Sequence, residues 1–235
     1  SAGAVVGAGV AGTGFAATLA QGQADLTSGL ADRGGAAAAD TLNTPQFALP
    51  YGGKLYVADY NNSRVLIYNS IPSGNGVAAD VVLGQADMTS TSGNRGAGAA
   101  ANTMNRPRGM AIAAGKLFVT DANNNRVLIW NSLPTVTGQA ADVVLGQLDF
   151  SGASTNQGGG TSSTTLYQPV AVASDGVKLL VADRQNHRVL IWDNIPTVND
   201  KAADWVIGQT NFSGNLPDQG SSTGANTFDN PSGLF

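Results

Sequence analysis

Residues 119–134 read VTDANNNRVLIWNSLP, and the same string in altered form occurs as VADYNNSRVLIYNSIP over residues 57–72 and as VADRQNHRVLIWDNIP over residues 181–196. The copies are 62 residues apart: Asp59, Asp121 and Asp183 share one position, and Arg64, Arg126 and Arg188 share another. A fixed period marks a tandem array, in which each unit buries its apolar faces against its neighbours.

Other landmarks keep the same step. Gly22-Gln23, Gly84-Gln85, Gly146-Gln147 and Gly208-Gln209 recur in phase, as do Pro45, Pro107, Pro169 and Pro231, with no residue gained or lost. The polar connections hold register too: Asp32-Arg33-Gly34 matches Asn94-Arg95-Gly96, Asn156-Gln157-Gly158 and Asp218-Gln219-Gly220. A slack linker drifts in length, so these connections are expected to be ordered.

All 16 acidic residues are aspartate. Aspartate and asparagine favour turns where glutamate favours helix interiors, so the composition points to short strands and many turns. A net charge of −4 offers no basic footprint for a nucleic-acid backbone or an anionic membrane, and neither partner is expected. The absence of cysteine removes disulfides, thiolate nucleophiles and cysteine-held clusters. No run is long and apolar enough to span a bilayer. The chain opens at Ser1 with no basic n-region, so any signal peptide is expected either to have been removed or to lie outside this sequence. Low charge and polar uncharged loops favour a secreted or cell-surface bacterial protein.

Each period predicts four strands, in the middle copy over residues 109–113, 116–120, 126–131 and 142–145. Turn chemistry bounds them at Ala114-Gly115, at residues 121–125 and 134–138, and at Gly146-Gln147. Val127-Leu128-Ile129-Trp130 is continuously apolar, which predicts burial on both faces of its sheet. Four-stranded antiparallel sheets stacked face to face in tandem are the blades of a β-propeller. Tyr68, Trp130 and Trp192 share one position, and each ring is expected to bury on the order of 150–250 Å² between blades.

LYVADYNNSRVLIYN, LFVTDANNNRVLIWN and LLVADRQNHRVLIWD each follow a Pro-x-Gly-like strand start, replaced by Gln46-Phe47 and Val170-Ala171 in two copies. With the trailing VVLGQADMTS, VVLGQLDFSG and VIGQTNFSG, they resemble NHL repeats of bacterial extracellular β-propellers with a long inter-blade connection. The resemblance implies a single all-β propeller array over residues 1–235. A partial blade occupies 1–23, complete blades lie near 45–85, 107–147 and 169–209, and a further blade opens at 231–235. In backward register, residues 3–6 fall at a third strand and 16–23 at a fourth. Such propellers close with about six blades, so the array is expected either to belong to a longer ring or to be completed by another copy.

Gly7-x-Gly9-x-x-Gly12 has the form of a dinucleotide-binding fingerprint. The required second strand ending in an acidic residue is missing from residues 21–40, so abundant glycine and alanine explain it better and no cofactor is expected. The Asp59–Arg64, Asp121–Arg126 and Asp183–Arg188 pairs recur in every copy. They are therefore read as structural bridges across the turn between second and third strands, as exposed pairs contributing about 0.2–1 kcal/mol each. Gln85, Gln147 and Gln209 are read as satisfying buried backbone groups at blade ends.

Function is sought where the copies differ on one face. Tyr60, Ala122 and Arg184 share one turn position, Ser63, Asn125 and His187 another, and Arg95, Arg106 and Arg108 concentrate positive charge near the second blade. Tyr60, Arg95, Arg106, Arg108, Arg184 and His187 are the candidate binding residues, suited to an acidic peptide, protein or glycan. His187 is the only histidine, so no histidine cluster can hold a catalytic metal, and no metal site is assigned. Asp25, Asp87 and Asp149 are the loop carboxylates a calcium ion would use. The expected function is a non-catalytic binding or scaffold module. The alternatives are a self-assembling subunit completed by neighbouring copies and, behind it, a propeller hydrolase or lyase.

Overall fold

The apolar run Val127-Leu128-Ile129-Trp130 lies in β7 (Arg126–Trp130), third strand of a four-stranded antiparallel sheet, and every residue of β7 is buried. The computed structural model describes residues 17–234. Its first sheet holds β1 (Pro45–Tyr51), β2 (Lys54–Asp59), β3 (Arg64–Tyr68) and β4 (Val81–Leu83). The second holds β5 (Pro107–Ala113), β6 (Lys116–Asp121), β7 and β8 (Val143–Leu145), and the third β9 (Pro169–Ser174), β10 (Leu179–Asp183), β11 (Arg188–Trp192) and β12 (Trp205–Ile207). Each sheet is a meander in chain order. The register repeats as well: Leu55 opposes Tyr68, Leu117 opposes Trp130 and Leu179 opposes Trp192. No α-helix occurs among the described residues, in keeping with the missing glutamate.

Burial on both faces follows from stacking. Tyr56, Val65, Ile67 and Leu83 of the first sheet pack against Leu117, Leu128 and Trp130 of the second. On the far side of the second sheet, Phe118, Val127, Ile129 and Leu145 pack against Val181, Leu190 and Trp192 of the third. The first strands β1, β5 and β9 lie side by side along the inner edge of the stack. Their approach explains Gly109: a Cβ there would sit 2.6 Å from the Val170 carbonyl oxygen.

The outer edges are closed by a two-residue clip that the sequence did not disclose. The backbone N–H of Gly138, in the connection between β7 and β8, donates to Val82 O at 2.8 Å, while Val82 N–H donates to Thr137 Oγ1 at 3.4 Å. One blade on, Asp200 N–H donates to Val144 O and Val144 N–H donates to Asn199 Oδ1, both at 3.0 Å. Asn75 and Gly76 treat Ala20 the same way, each at 2.9 Å. Each blade therefore caps the unpaired polar groups on the outer strand of the blade before it, which an open edge would offer to other chains.

At the third sheet this pattern stops. Trp205 and Ile207 of β12 are 61% and 44% exposed, although their counterparts Val143 and Leu145 are buried, and no clip reaches Val206 among the described residues. The expected partial blade over 1–23 lies mostly outside the described residues, as do residues 3–6 and the Gly7-x-Gly9-x-x-Gly12 motif. Residues 17–20 form no strand, yet Ala20 takes the clip meant for an outer strand. The opening strand expected at 231–235 is likewise not formed over 231–234. Leu234 instead packs on Val170, Ala171 and Ala182.

If stacking carries the stability, two tryptophans should answer differently to removal. Trp130→Ala should cost about 3–5 kcal/mol and Trp205→Ala within about 0.5 kcal/mol, both measured by urea unfolding; equal losses would contradict the stacking.

Candidate functional site

The recurring aspartate and arginine form a buried joint. Arg64 Nε donates to Asp59 Oδ2 at 2.7 Å, Arg126 Nε to Asp121 Oδ2 at 2.8 Å and Arg188 Nε to Asp183 Oδ2 at 2.7 Å, with every partner fully buried. This corrects the expectation of exposed, weak pairs. A recurring turn residue gives no sign of burial until the inter-blade connections are folded over it. Those connections are what the guanidinium holds. Arg126 Nη2 donates to Ala100 O and Thr103 O, both at 3.0 Å, in the connection before its blade, while Nη1 donates to Phe150 O at 2.6 Å in the connection after it. Arg188 repeats the pattern with Ser162 O, Thr165 O and Phe212 O, and Arg64 with Ala38 O, Thr41 O and Met88 O.

Burial pushes the carboxyls of Asp59, Asp121 and Asp183 up, opposed by the arginine charge and by the hydrogen bonds each accepts. Each carboxylate also accepts a backbone N–H, from Asn43, Asn105 or Tyr167, and an amide from Asn62, Asn124 or Asn186. Asn124 and Asn94 exchange amide hydrogen bonds at 2.8 and 3.0 Å, pinning the inter-blade connection to the turn. Asn94 has φ +52°, a left-handed geometry that asparagine and aspartate tolerate best among non-glycine residues; hence Asp32, Asn94, Asn156 and Asp218 at this position. Gln85 Nε2 donates to Asn62 O, Ser63 O and Ser92 O, Gln147 Nε2 to Asn124 O, Asn125 O and Ser154 O, and Gln209 Nε2 to His187 O and Leu216 O.

Three further arginines, Arg106, Arg108 and Arg184, stand apart from this scaffold on one face. The guanidinium of Arg108 lies 5.0 Å and that of Arg106 5.4 Å from the Tyr60 ring centroid, and Arg108 Nη2 donates to Tyr60 Oη at 3.3 Å. Burial works to raise the Tyr60 phenol, but the hydrogen bonds and charge of Arg108, then Arg106, outweigh it and hold the pKa below its ordinary value. Beside them a cavity of about 280 Å³ opens at the starts of the inner strands, with Arg108 and Arg184 in its wall. Among the described residues, neither these two arginines nor Arg106 meets a carboxylate.

The structure thus brings Tyr60, Arg106 and Arg108 together and places Arg184 with Arg108 at the cavity. It sends the other two candidates elsewhere. Arg95 Nη2 donates to Gln85 O at 2.9 Å, and its guanidinium abuts Gly138 of the outer-strand clip. His187 Nδ1 accepts the N–H of Asn230 at 3.1 Å, as Asn125 Oδ1 accepts Gln168 N–H and Ser63 Oγ accepts Arg106 N–H, so this turn position staples one blade to the next. Sequence reasoning missed Gln46, Val170 and Ser232, which share Arg108's repeat position and also line the cavity. The signal was present, since four different residue types occupy this one position of the 62-residue repeat.

The loop carboxylates are used locally. Asp25 accepts Thr27 N–H, Thr27 Oγ1 and Ser28 N–H, which lowers its pKa to about 2, and Asp87 is lowered to about 2 by the equivalent bonds from Thr89 and Ser90. Asp149 is lowered by Ser151. No group of three or more acidic, histidine or cysteine side chains able to hold a metal occurs among the described residues, and no helix there is long and apolar enough to cross a membrane.

The two kinds of arginine should separate in mutants. Arg126→Ala leaves Asp121 buried without its charge partner and should cost about 3–5 kcal/mol, whereas Arg106→Ala should leave stability within about 0.5 kcal/mol, both by chemical denaturation. The Tyr60 phenol should titrate below an unperturbed tyrosine and rise in Arg108→Ala, read by NMR of ring-labelled tyrosine.

Comparison with known proteins gives one family match and one structural likeness. The family described as NHL repeat matches residues 104–130, a span running from the end of an inter-blade connection through β7. Among solved structures the chain is similar to one described as the crystal structure of a nidogen/laminin complex, at 20% identity and a TM-score of 0.40. That match covers 66% of this chain and 45% of the other, so the chain spans less than half the length of that relative. No curated protein matches. The NHL-repeat match falls on the second of three stacked four-stranded sheets, and the residues it covers recur in phase in the other two, as in a propeller built from such repeats.

Proposed function

We propose that this array is a non-catalytic binding module, working outside the cell, whose inner face around Tyr60, Arg106, Arg108 and Arg184 receives a protein partner. One observation carries the reading. In a chain of net charge −4, the guanidiniums of Arg33, Arg64, Arg126 and Arg188 are matched by aspartates and that of Arg95 is bonded to the Gln85 carbonyl, whereas those of Arg106, Arg108 and Arg184 meet no carboxylate among the described residues and belong to one face. Arginine and tyrosine are, with tryptophan, the residue types enriched at binding hot spots, and a rigid ring and a planar fork lose little entropy on docking. Extracellular placement is supported by the low-charge composition and by the polar uncharged connections.

The second reading, self-association, is favoured by the exposed Trp205 and Ile207 and the unclipped Val206. A strand from another copy could extend the third sheet at β12.

A photo-crosslinking residue placed at 106 should yield adducts with a defined protein from the source cells, lost in Arg108→Ala/Arg184→Ala. The same residue at Val136, on the opposite end of the blades, should not; equal adducts from both positions, or none from 106, would overturn the reading. For the second reading, sedimentation velocity should show concentration-dependent association that Trp205→Arg abolishes, and a monomer at every concentration would remove it.

A further inference from the structure

The face just described contains a cavity with a chemistry narrower than "a protein", and the inference that follows rests on the reading of that face as the binding face. At about 280 Å³ the cavity lies at the small end of ligand sites, near the ~300 Å³ lower bound for drug-sized molecules. That is room for one residue-sized group. A sugar chain or a helix would have to lie across the mouth.

Its walls are of two kinds. Phe47, Met110, Val172 and Leu234 make an apolar side, and Arg108 and Arg184 bring two positive forks. The Nε–H of Arg184 is shielded from solvent and has no hydrogen-bond partner among the described residues. A buried unmet donor on a charged group is costly, and a ligand oxygen that reaches it removes the cost. Arg108 is held in place by Tyr60 Oη and by the ring beneath it, so its remaining donors are pre-aimed and little entropy is lost on docking.

We propose that this inner cavity is a subsite for a carboxylate carried next to an apolar side chain, with Arg108 and Arg184 holding the two carboxylate oxygens and the apolar wall taking the side chain. The half-apolar wall selects this chemistry over a phosphate, which is more strongly hydrated and brings no side chain to fill the apolar half. A peptide C-terminus supplies both features on one residue; an aspartate flanked by an apolar residue supplies them on two. Two guanidiniums also explain why Tyr60 remains within the cluster: its ring stacks under Arg108 and Arg106 without neutralising them.

The test is calorimetric titration of the whole protein with four probes: N-acetyl-leucine, its amide, N-acetyl-aspartate amide and inorganic phosphate. N-acetyl-leucine should bind and its amide should not, and Arg108→Gln and Arg184→Gln should each weaken it by about tenfold or more, as expected for loss of a charge-assisted bond. Binding should also raise the Tyr60 phenol pKa in wild type, because the carboxylate offsets the arginine charge; this readout does not depend on the heat signal. Lys201→Gln, remote from the cavity, controls for net charge. N-acetyl-aspartate amide binding as well as N-acetyl-leucine would assign the source as a side chain, within the same proposal. Amide binding as tightly as acid, phosphate binding more tightly than either carboxylate, insensitivity to both arginine substitutions, or no binding by either carboxylate would each overturn it. Cross-linking of a protein at position 106 with no carboxylate binding would sink this inference alone. Carboxylate binding without any cross-linked partner would sink the protein-partner reading instead.

Discussion

Each blade is tied to its surroundings by one buried guanidinium. Arg126 is ion-paired within its own turn, bonded to two carbonyls of the connection before it and to one of the connection after it. Long polar connections would ordinarily be the loose part of such a fold. Here their carbonyls satisfy donors that cannot be left unmet in the interior, so connection and blade are ordered together. This accounts for the fixed 62-residue step better than the sheets do. Inserting a residue into a connection would pull Ala100, Thr103 or Phe150 away from the arginine.

The ion pair supplies fit rather than raw stability, since buried pairs roughly cancel their own desolvation. Stability comes from the aliphatic and aromatic faces pressed between sheets, and the outer-strand clip closes the edges that stacking leaves open. Once these demands are met in every blade, residues that differ between copies are free to serve recognition. Gln46, Arg108, Val170 and Ser232 occupy one repeat position and share one cavity wall. The repeat thus builds a regular cage and varies the side chains that point into its mouth.

Much of this was legible in the residues. The spacing of Asp121, Arg126 and Trp130, with the apolar run between them, carries strand order and two-sided burial. The in-phase Asn94 and Asn156 announced ordered connections, and the left-handed turns there are why the positions tolerate so few residue types. The burial of the Asp–Arg pairs was not legible, because their acceptors are backbone carbonyls 23 to 26 residues upstream and 24 downstream and a carbonyl leaves no mark in the sequence. The clip was hidden for the same reason. At the candidate site, Arg106 and Arg108 were visible as local charge, but the removal of Arg95 and His187 to scaffold duties depended on partners contributed by neighbouring blades.

Hydrogen exchange across the whole chain tests the central claim most directly, because it reads the joint, the stack and the clip at once. The amides of β3, β7 and β11 and the N–H groups clipped at Val82 and Val144 should exchange slowly and together with the connections the arginines hold, while Val206 on the open edge should exchange far faster than Val144. Connections that exchange freely while the sheets remain protected, or a Val206 as slow as Val144, would contradict an array held in register by its buried arginines.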